Sequence, residues 1–288
     1  MRLALSTPVV IQVPGTASAW EADAGIDDVA RIGATADRLG FAYLTCSEHV
    51  AVPATAAEAR GAVYWDPLAT LAFLAARTSR IRLLTSVLVL GYHHPLEIAK
   101  RYGTLDRISG GRLILGVGVG SLREEFDLLG CAWDDRGARA DDAMKALRAS
   151  LSTTHPAYDG PYYRYDAMVV QPCALQPRVP IWVGGRTLRS LRRAVELGDG
   201  WTPFGLNIAE MAKMLGAVER PDDFAVALAT PPLDPIGAAQ QATDRIGRLK
   251  EAGATDVNCV IAAQSAEHYC DQLAALAELT DLSRTEQP

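Results

Sequence analysis

A carboxylate and an imidazole stand side by side at Glu48 and His49, directly after the short apolar run Ala42–Cys46. If this run is a strand of a parallel barrel, both side chains lie where the strand ends, which is the edge that carries function in such folds. Histidine exchanges protons near neutral pH, so the pair suits general acid–base chemistry beside a reacting group. Taken alone, the two residues also fit a loop or helix-capping histidine.

A second candidate site follows the apolar run Ile181–Val183, where Gly184, Gly185, Arg186 and Thr187 lead into a helical pattern. Backbone N–H groups, a guanidinium and a hydroxyl meet there at the positive end of a helix. This combination predicts a phosphate-binding loop. The alternative is a tight turn that ends in an N-capping threonine.

A third candidate follows the run Leu113–Val117, in which Gly118 and Gly120 precede Ser121. Glycine lets a ligand approach the backbone closely because it has no side chain to block it. The run lacks the spacing of a dinucleotide-binding fingerprint and lies in the fourth strand of the chain rather than the first. The glycines are compatible with a ligand close to the backbone, but this short run is a weak signal by itself and is not a Rossmann motif.

Short β-branched runs alternate with longer segments of helical period along the whole chain, which is typical of parallel β/α units. Because eight strands are each followed by a helix, we predict an α/β fold, a (β/α)8 TIM barrel, that spans residues 1–288 as one domain. The predicted strands are Arg2–Val10, Ala42–Cys46, Ile81–Val87, Leu113–Val117, Ile181–Val183, Gly200–Pro203, Phe224–Ala229 and Asp256–Ile261. The predicted helices are Asp27–Leu39, Pro67–Thr78, Pro95–Ile108, Leu122–Leu151, Thr187–Leu197, Ile208–Ala217, Ala238–Ala252 and Ala266–Leu279.

The segment from about 153 to 179 breaks this rhythm between the fourth helix and the fifth strand. It is rich in tyrosine and proline, and its polar and aromatic residues alternate at Tyr162–Tyr165. We interpret it as an insertion that carries a hairpin.

Composition excludes several classes of partner. A formal net charge of −6 argues against nucleic acid or an anionic membrane, and no apolar run has the length of a membrane span. The five cysteines are scattered and form no C-x-x-C pair, which predicts reduced thiols in a cytoplasmic protein. The five histidines show no metal-binding spacing, so we expect no metal.

Several short motifs, in this order, resemble the luciferase-like monooxygenase family and, within it, the branch of coenzyme F420-dependent oxidoreductases. The similarity extends over nearly the whole chain. The motifs that show this similarity are Ser47-Glu48-His49, Thr85-Ser86-Val87, Ser109-Gly110-Gly111-Arg112, Gly118-Val119-Gly120, Glu124-Glu125-Phe126, Pro180-Ile181-Trp182-Val183-Gly184-Gly185 and Gly198-Asp199-Gly200-Trp201.

The resemblance implies a flavin or deazaflavin ring across the barrel mouth and, as in the F420-dependent members, a cis peptide between Ser86 and Val87 that presses on it. It makes His49 the proton donor or acceptor, with Glu48 orienting it or contacting the cofactor. It also implies that Gly184, Gly185, Arg186 and Thr187 hold the phosphate and that Gly118, Gly120 and Ser121 line the cofactor's side chain. The expected activity is hydride transfer between F420 and a small organic substrate by a homodimer, with Tyr64, Trp65 and Trp201 as pocket walls.

Two other functions remain open at this point. The loop Thr230–Asp234 after the seventh predicted strand lacks the basic residues that some relatives direct at an anionic tail, which leaves FMN and a monooxygenase reaction with O2 as an alternative. A flavin-binding barrel without turnover is the second alternative, because one fold serves many functions.

Overall fold

Eight parallel strands close into a barrel in the computed structural model, which describes residues 1–282. The strands are β1 (Arg2–Leu5), β2 (Tyr43–Cys46), β3 (Arg82–Thr85), β4 (Leu113–Gly118), β5 (Ile181–Gly184), β6 (Gly200–Thr202), β7 (Ala225–Ala229) and β8 (Asp256–Cys259). Each strand pairs with its neighbour in the chain, β8 pairs with β1, and β4 pairs with β5. The predicted TIM barrel is confirmed.

A helix follows each strand and packs outside the barrel. These helices are α1 (Ile26–Leu39), α2 (Pro67–Arg77), α3 (Pro95–Ile108), α4 (Arg136–Ser150), α5 (Leu188–Leu197), α6 (Ile208–Gly216), α7 (Ala239–Glu251) and α8 (Ala266–Leu279). Proline occupies the first turn of both α2 and α3, where its missing N–H is not needed. Within residues 1–282, every helix is too short or too polar to cross a bilayer.

The barrel interior is filled by two large rings set among small side chains. Tyr43 and Trp182 meet edge to face with their ring centroids 5.3 Å apart. Alanines from β1 and β7, at Ala4 and Ala225, leave room for these rings. The interior is therefore a packed core, and ligands must bind at the mouth that the C-terminal ends of the strands form.

Two predicted elements were too long. The first strand ends at Leu5 and does not reach Val10, because the chain turns at Pro8 and Val9, where φ is +72°. The predicted helix Leu122–Leu151 is two helices, Arg123–Leu128 and α4, separated by a turn in which Gly130 has a φ of +68°.

The segment predicted to be an insertion contains a short antiparallel pair of strands, Tyr158–Asp159 with Arg164–Tyr165. Asp142 of α4 anchors the pair, since it accepts hydrogen bonds from the Tyr158 hydroxyl at 2.6 Å and from the Tyr162 N–H at 2.9 Å. The bounds of the insertion and its relation to the rest of the domain stay predictions.

Candidate active site

The imidazole of His49 is held by a carboxylate from a distant part of the chain. His49 lies in the loop after β2, and its Nδ1 is 2.8 Å from Oε2 of Glu125, which lies in the short helix after β4. Glu125 is 1% exposed, and its Oε2 also accepts a 2.7 Å hydrogen bond from the Tyr92 hydroxyl. Its Oε1 accepts from the N–H groups of Val50 and Ala51. Four donors from two other loops therefore converge on one buried carboxylate.

These donors keep Glu125 ionised. Burial alone would raise the pKa of Glu125, but the hydrogen bonds from His49, Tyr92 and the Val50 N–H outweigh it and hold that pKa below its ordinary value. Burial, followed by the hydrogen bond to Glu125, raises the pKa of Tyr92, so its phenol stays protonated and donates. An ionised carboxylate only accepts, so Nδ1 of His49 must carry the proton in this contact.

The other nitrogen of His49 is the one that can exchange a proton with a ligand. Nε2 makes no hydrogen bond to any residue between 1 and 282, and the side chain is 16% exposed at the barrel mouth. The ring of Tyr64 packs edge to face against the imidazole, with the centroids 4.6 Å apart. His49 is thus fixed in orientation through Nδ1 and open through Nε2.

Glu48 does not orient His49. Its Oε2 accepts from the Val89 N–H at 2.6 Å and its Oε1 contacts Nε2 of His93 at 2.7 Å. Glu48 therefore ties the loop after β2 to the segment after β3. Its expected role as the orienting partner is wrong, because Glu125 has that position, while a contact between Glu48 and a cofactor stays a prediction.

The peptide bond between Ser86 and Val87 is cis, as expected. The Ser47 hydroxyl donates to the carbonyl oxygen of Ser86, so the loop after β2 also fixes this bond. Val87 lies over two of the predicted ligand glycines: a methyl carbon on Gly118 would lie 2.6 Å from its Cγ2, and one on Gly184 would lie 2.8 Å from its Cγ1. At both positions the absent side chain makes room for Val87.

Gly120 follows the same pattern, whereas Ser121 does not. Gly120 has a φ of +82°, and a side chain there would meet the ring of Phe126 at 2.4 Å. Ser121 is exposed and accepts a 3.3 Å hydrogen bond from Arg60. The space beside Gly118, Gly120 and Gly184 thus holds protein side chains, and ligand contacts at these residues stay predictions.

The loop after β5 joins the strand to the N-terminus of α5. Thr187 caps this helix through its hydroxyl, which accepts from the Ser190 N–H at 3.2 Å. Arg186 is exposed, its guanidinium lies 5.9 Å from the centroid of the Phe204 ring, and the first turn of α5 holds no acidic residue. The loop therefore combines the capping threonine of the alternative interpretation with a guanidinium that pairs with no carboxylate among residues 1–282.

Trp201 supports this loop from inside and is not a pocket wall. Its side chain is fully buried, and Nε1 donates to the carbonyl oxygen of Gly185 at 3.1 Å. Its expected place at the substrate is therefore wrong. Because the indole holds Gly185, where φ is +138°, it fixes the shape of the loop.

The family model described as luciferase-like monooxygenase matches residues 1–233. The chain belongs to this family. An uncharacterized protein of Mycobacterium tuberculosis is 31% identical over 218 residues, which cover 73% of this chain and 75% of the relative.

Two solved structures have the same fold. The monooxygenase RslO1 from Streptomyces bottropensis superposes with a TM-score of 0.74 at 22% identity, over 96% of this chain and 98% of that chain. The coenzyme F420-dependent tetrahydromethanopterin reductase from Methanopyrus kandleri superposes with a TM-score of 0.71 at 17% identity, with the same coverage of both chains. At these identities the likeness establishes the fold alone.

One of the motifs that resemble the luciferase-like family serves the opposite end of the barrel. Arg112 immediately precedes β4 and is largely buried, and its guanidinium donates to the carbonyl oxygens of Ser109, Ala75 and Ile81. Ligands of such barrels bind at the other end. This motif therefore stabilises the barrel floor, and His49 and the loop after β5 remain the candidates for chemistry.

Sequence reasoning missed Glu125 as the partner of His49. The sequence did contain a signal for it, because Leu122, Glu125 and Phe126 are spaced so that they share one face of a helix. In the structure this face packs inward, and Leu122 and Phe126 are both buried. A carboxylate on a buried face needs a partner, and Glu125 is separated from His49 by 76 positions.

Proposed function

We propose that the chain is an oxidoreductase that transfers a hydride between coenzyme F420 and a small organic substrate. The observation that carries this proposal is the geometry of His49, whose Nδ1 is fixed on an ionised, buried Glu125 while Nε2 has no partner in the described chain. When a hydride is transferred to or from a carbon that is bonded to oxygen, that oxygen gains or loses a proton. An oriented imidazole can supply or accept this proton near neutral pH.

The barrel mouth fits a flat cofactor with an anionic tail. Arg186, which has no carboxylate partner in the described part of the chain, supplies a cation for a phosphate, and the first turn of α5 supplies a helix N-terminus. Val87 supplies an apolar surface for a ring. When bound, the deazaflavin supplies hydride acceptance or donation, and the protein supplies orientation, exclusion of water and the proton partner. His49 holds or releases the proton at Nε2, and Glu125 stabilises the imidazolium.

FMN is the second candidate cofactor, and one observation favours it. The loop 230–234 after β7 contains no basic residue, and Asp234 is occupied by hydrogen bonds from the Gly237 N–H and from Gln272. The guanidinium of Arg245 reaches the loop from α7, but it donates to the carbonyl oxygen of Pro232 at 2.7 Å, so an extended anionic tail would meet no basic residue of the loop itself. With FMN the same site would support a monooxygenase reaction.

Titration of the apoprotein with each cofactor tests the proposal. We expect F420 to bind with a dissociation constant in the micromolar range and FMN to bind more weakly, measured by calorimetry. Arg186→Gln should weaken F420 binding about tenfold, the effect of one charge-assisted hydrogen bond. Arg192→Gln, an exposed arginine farther along α5, is the matched control and should leave binding unchanged. Tight FMN binding without F420 binding would overturn the proposal.

A further inference from the structure

A cavity of about 170 Å3 lies at the barrel mouth among the ends of β1, β2, β3 and β8. Its wall combines apolar side chains such as Ile11 and Ile261 with hydroxyl groups. An engineered cavity of about 150 Å3 accommodates benzene, so this space admits roughly six to ten non-hydrogen atoms. Sites for drug-sized ligands occupy about 300 Å3 or more, so a fused three-ring system does not fit.

Some of the hydroxyls in this wall are already engaged. Thr7 and Thr45 each accept from the other's backbone N–H, at 3.0 and 3.3 Å, and Ser47 donates to Ser86. Thr16 donates to the carbonyl oxygen of Val13 at 2.9 Å. The remaining hydroxyls, those of Ser6, Ser86 and Tyr269, make no hydrogen bond to any residue that the structure describes.

Tyr269 is the most informative of these residues. It is 1% exposed, and its hydroxyl is buried without a partner among residues 1–282. A buried polar atom without a partner costs about 1–3 kcal/mol, so such atoms in native proteins usually meet a ligand or a water molecule. Because Tyr269 lines the cavity, a ligand with an oxygen atom would satisfy it.

The charge of the wall restricts what can bind. Glu21 carries the one charge among the lining residues, and it is 4% exposed. Its two carboxylate oxygens already accept from the N–H groups of Val9 and Ser18, each at 2.7 Å. Among the residues that the structure describes, no lysine, arginine or histidine lines the cavity to pair with an anion. A carboxylate or phosphate group would be repelled there and left unpaired.

We propose that this cavity is the substrate site and that it takes a small, uncharged alcohol or carbonyl compound, whose oxygen binds the hydroxyls of Tyr269, Ser86 and Ser6. The assignment to a substrate rests on the proposed function. Ser86 lines the cavity and is bonded to Val87, and β1 lies opposite β5 in the eight-strand order. A cofactor that is held at the loop after β5 and reaches over Val87 therefore meets the cavity at its far edge.

Ligand-observed NMR and calorimetry on the whole protein test this proposal without turnover. Cyclohexanol is the neutral probe and cyclopentanecarboxylate is the anionic probe of similar size. Cyclohexanol should bind to the apoprotein, and it should bind equally well or better after saturation with F420. Cyclopentanecarboxylate should bind at least tenfold more weakly than cyclohexanol.

Two tyrosine variants localise the binding. Tyr269→Phe should weaken cyclohexanol binding roughly fivefold, the effect of one neutral hydrogen bond, and should leave the unfolding midpoint unchanged because no bond within the protein is lost. Tyr43→Phe is the matched control, since its hydroxyl is also buried without a partner but lies in the barrel core outside the cavity. It should leave cyclohexanol binding unchanged.

Three results would overturn the proposal. The first two are equal binding of both probes and equal losses of cyclohexanol affinity in the two tyrosine variants. The third is displacement of cyclohexanol by F420, which would show that the cofactor occupies the cavity. Failure of the proposed function has a different signature. Neither F420 nor FMN would then bind, while cyclohexanol would still bind in a Tyr269-dependent way.

Discussion

Each end of the barrel contains a buried carboxylate that receives several hydrogen bonds, but the donors differ. At the floor, Asp106 accepts from the N–H groups of Leu113, Leu175 and Gln176 and from the Gln176 side chain, at 2.7 to 3.2 Å. All of these donors are amides, which do not titrate. At the mouth, the donors to Glu125 include an imidazole and a phenol.

This difference separates the two ends by function. Asp106 fixes the segment that enters β5 against α3 and leaves no group open to a ligand. Glu125 fixes an imidazole whose second nitrogen has no partner within residues 1–282. The same kind of buried carboxylate therefore stabilises the fold at one end and positions a proton carrier at the other.

The largest effect is expected at the mouth. His49→Ala should lower the rate of hydride transfer by about 10²- to 10⁴-fold, since a positioned acid or base contributes that much. Rapid mixing of the F420-loaded protein with a turnover substrate measures this rate through the absorbance of the cofactor. His155→Ala, at an exposed histidine of the segment after α4, is the control. An unchanged rate in His49→Ala would remove the proposed role of His49.

Removal of the carboxylate at the floor should act on stability alone. Asp106→Ala should lower the free energy of unfolding by about 3 kcal/mol, because it leaves buried N–H donors without acceptors. Chemical denaturation measures this loss, and Asp127→Ala, at an exposed aspartate, should change stability by less than about 0.5 kcal/mol. F420 affinity should be the same in both variants. A loss of F420 affinity confined to Asp106→Ala would show that the two ends are not independent.

Substitution of Glu125 should act on His49. Glu125→Gln should slow hydride transfer about 10- to 100-fold, the usual effect of losing the group that orients a functional histidine. It should also shift the pH profile of the rate, because the imidazolium loses its counter-charge; a purely structural role would leave that profile in place. Glu124→Gln is the adjacent exposed control. Equal profiles for the two variants would contradict the positioning role.

The smallest effect is the pH dependence of stability. The folded-state pKa of Glu125 is lowered, so its ionised form stabilises the protein above the ordinary carboxylate pKa, and this contribution is lost as the pH falls through the folded-state value. The difference in unfolding free energy between the unmodified chain and Glu125→Gln should therefore shrink on acidification. A difference that grows as the pH falls would reverse the sign of this linkage.

The sequence predicted the barrel because strand and helix periods alternate on both sides of the segment 153–179, and the resemblance located the cis bond at Ser86–Val87. It could not predict which groups meet at the mouth. Glu48 is adjacent to His49 in the chain, yet their side chains bind different partners, since consecutive loop residues point in different directions.

Burial was equally hard to predict from sequence. Trp201 follows a glycine at the start of a strand, and a tryptophan at this position could lie either in the core or in a pocket wall. Its contacts with Ser190 and Gly185, which only the structure shows, place it in the core. The helix break at Gly130 was missed because glycine inside a helical pattern is tolerated, and its positive φ depends on tertiary contacts.

A crystal of this protein soaked with F420 tests most directly whether the barrel mouth binds a deazaflavin. We expect the phosphate at Gly184–Thr187 and the ring against Val87, with Nε2 of His49 within hydrogen-bond distance of the cofactor or of a ligand beside it. A crystal that takes up F420 elsewhere, or with the His49 imidazole turned away from the ring, would contradict this site.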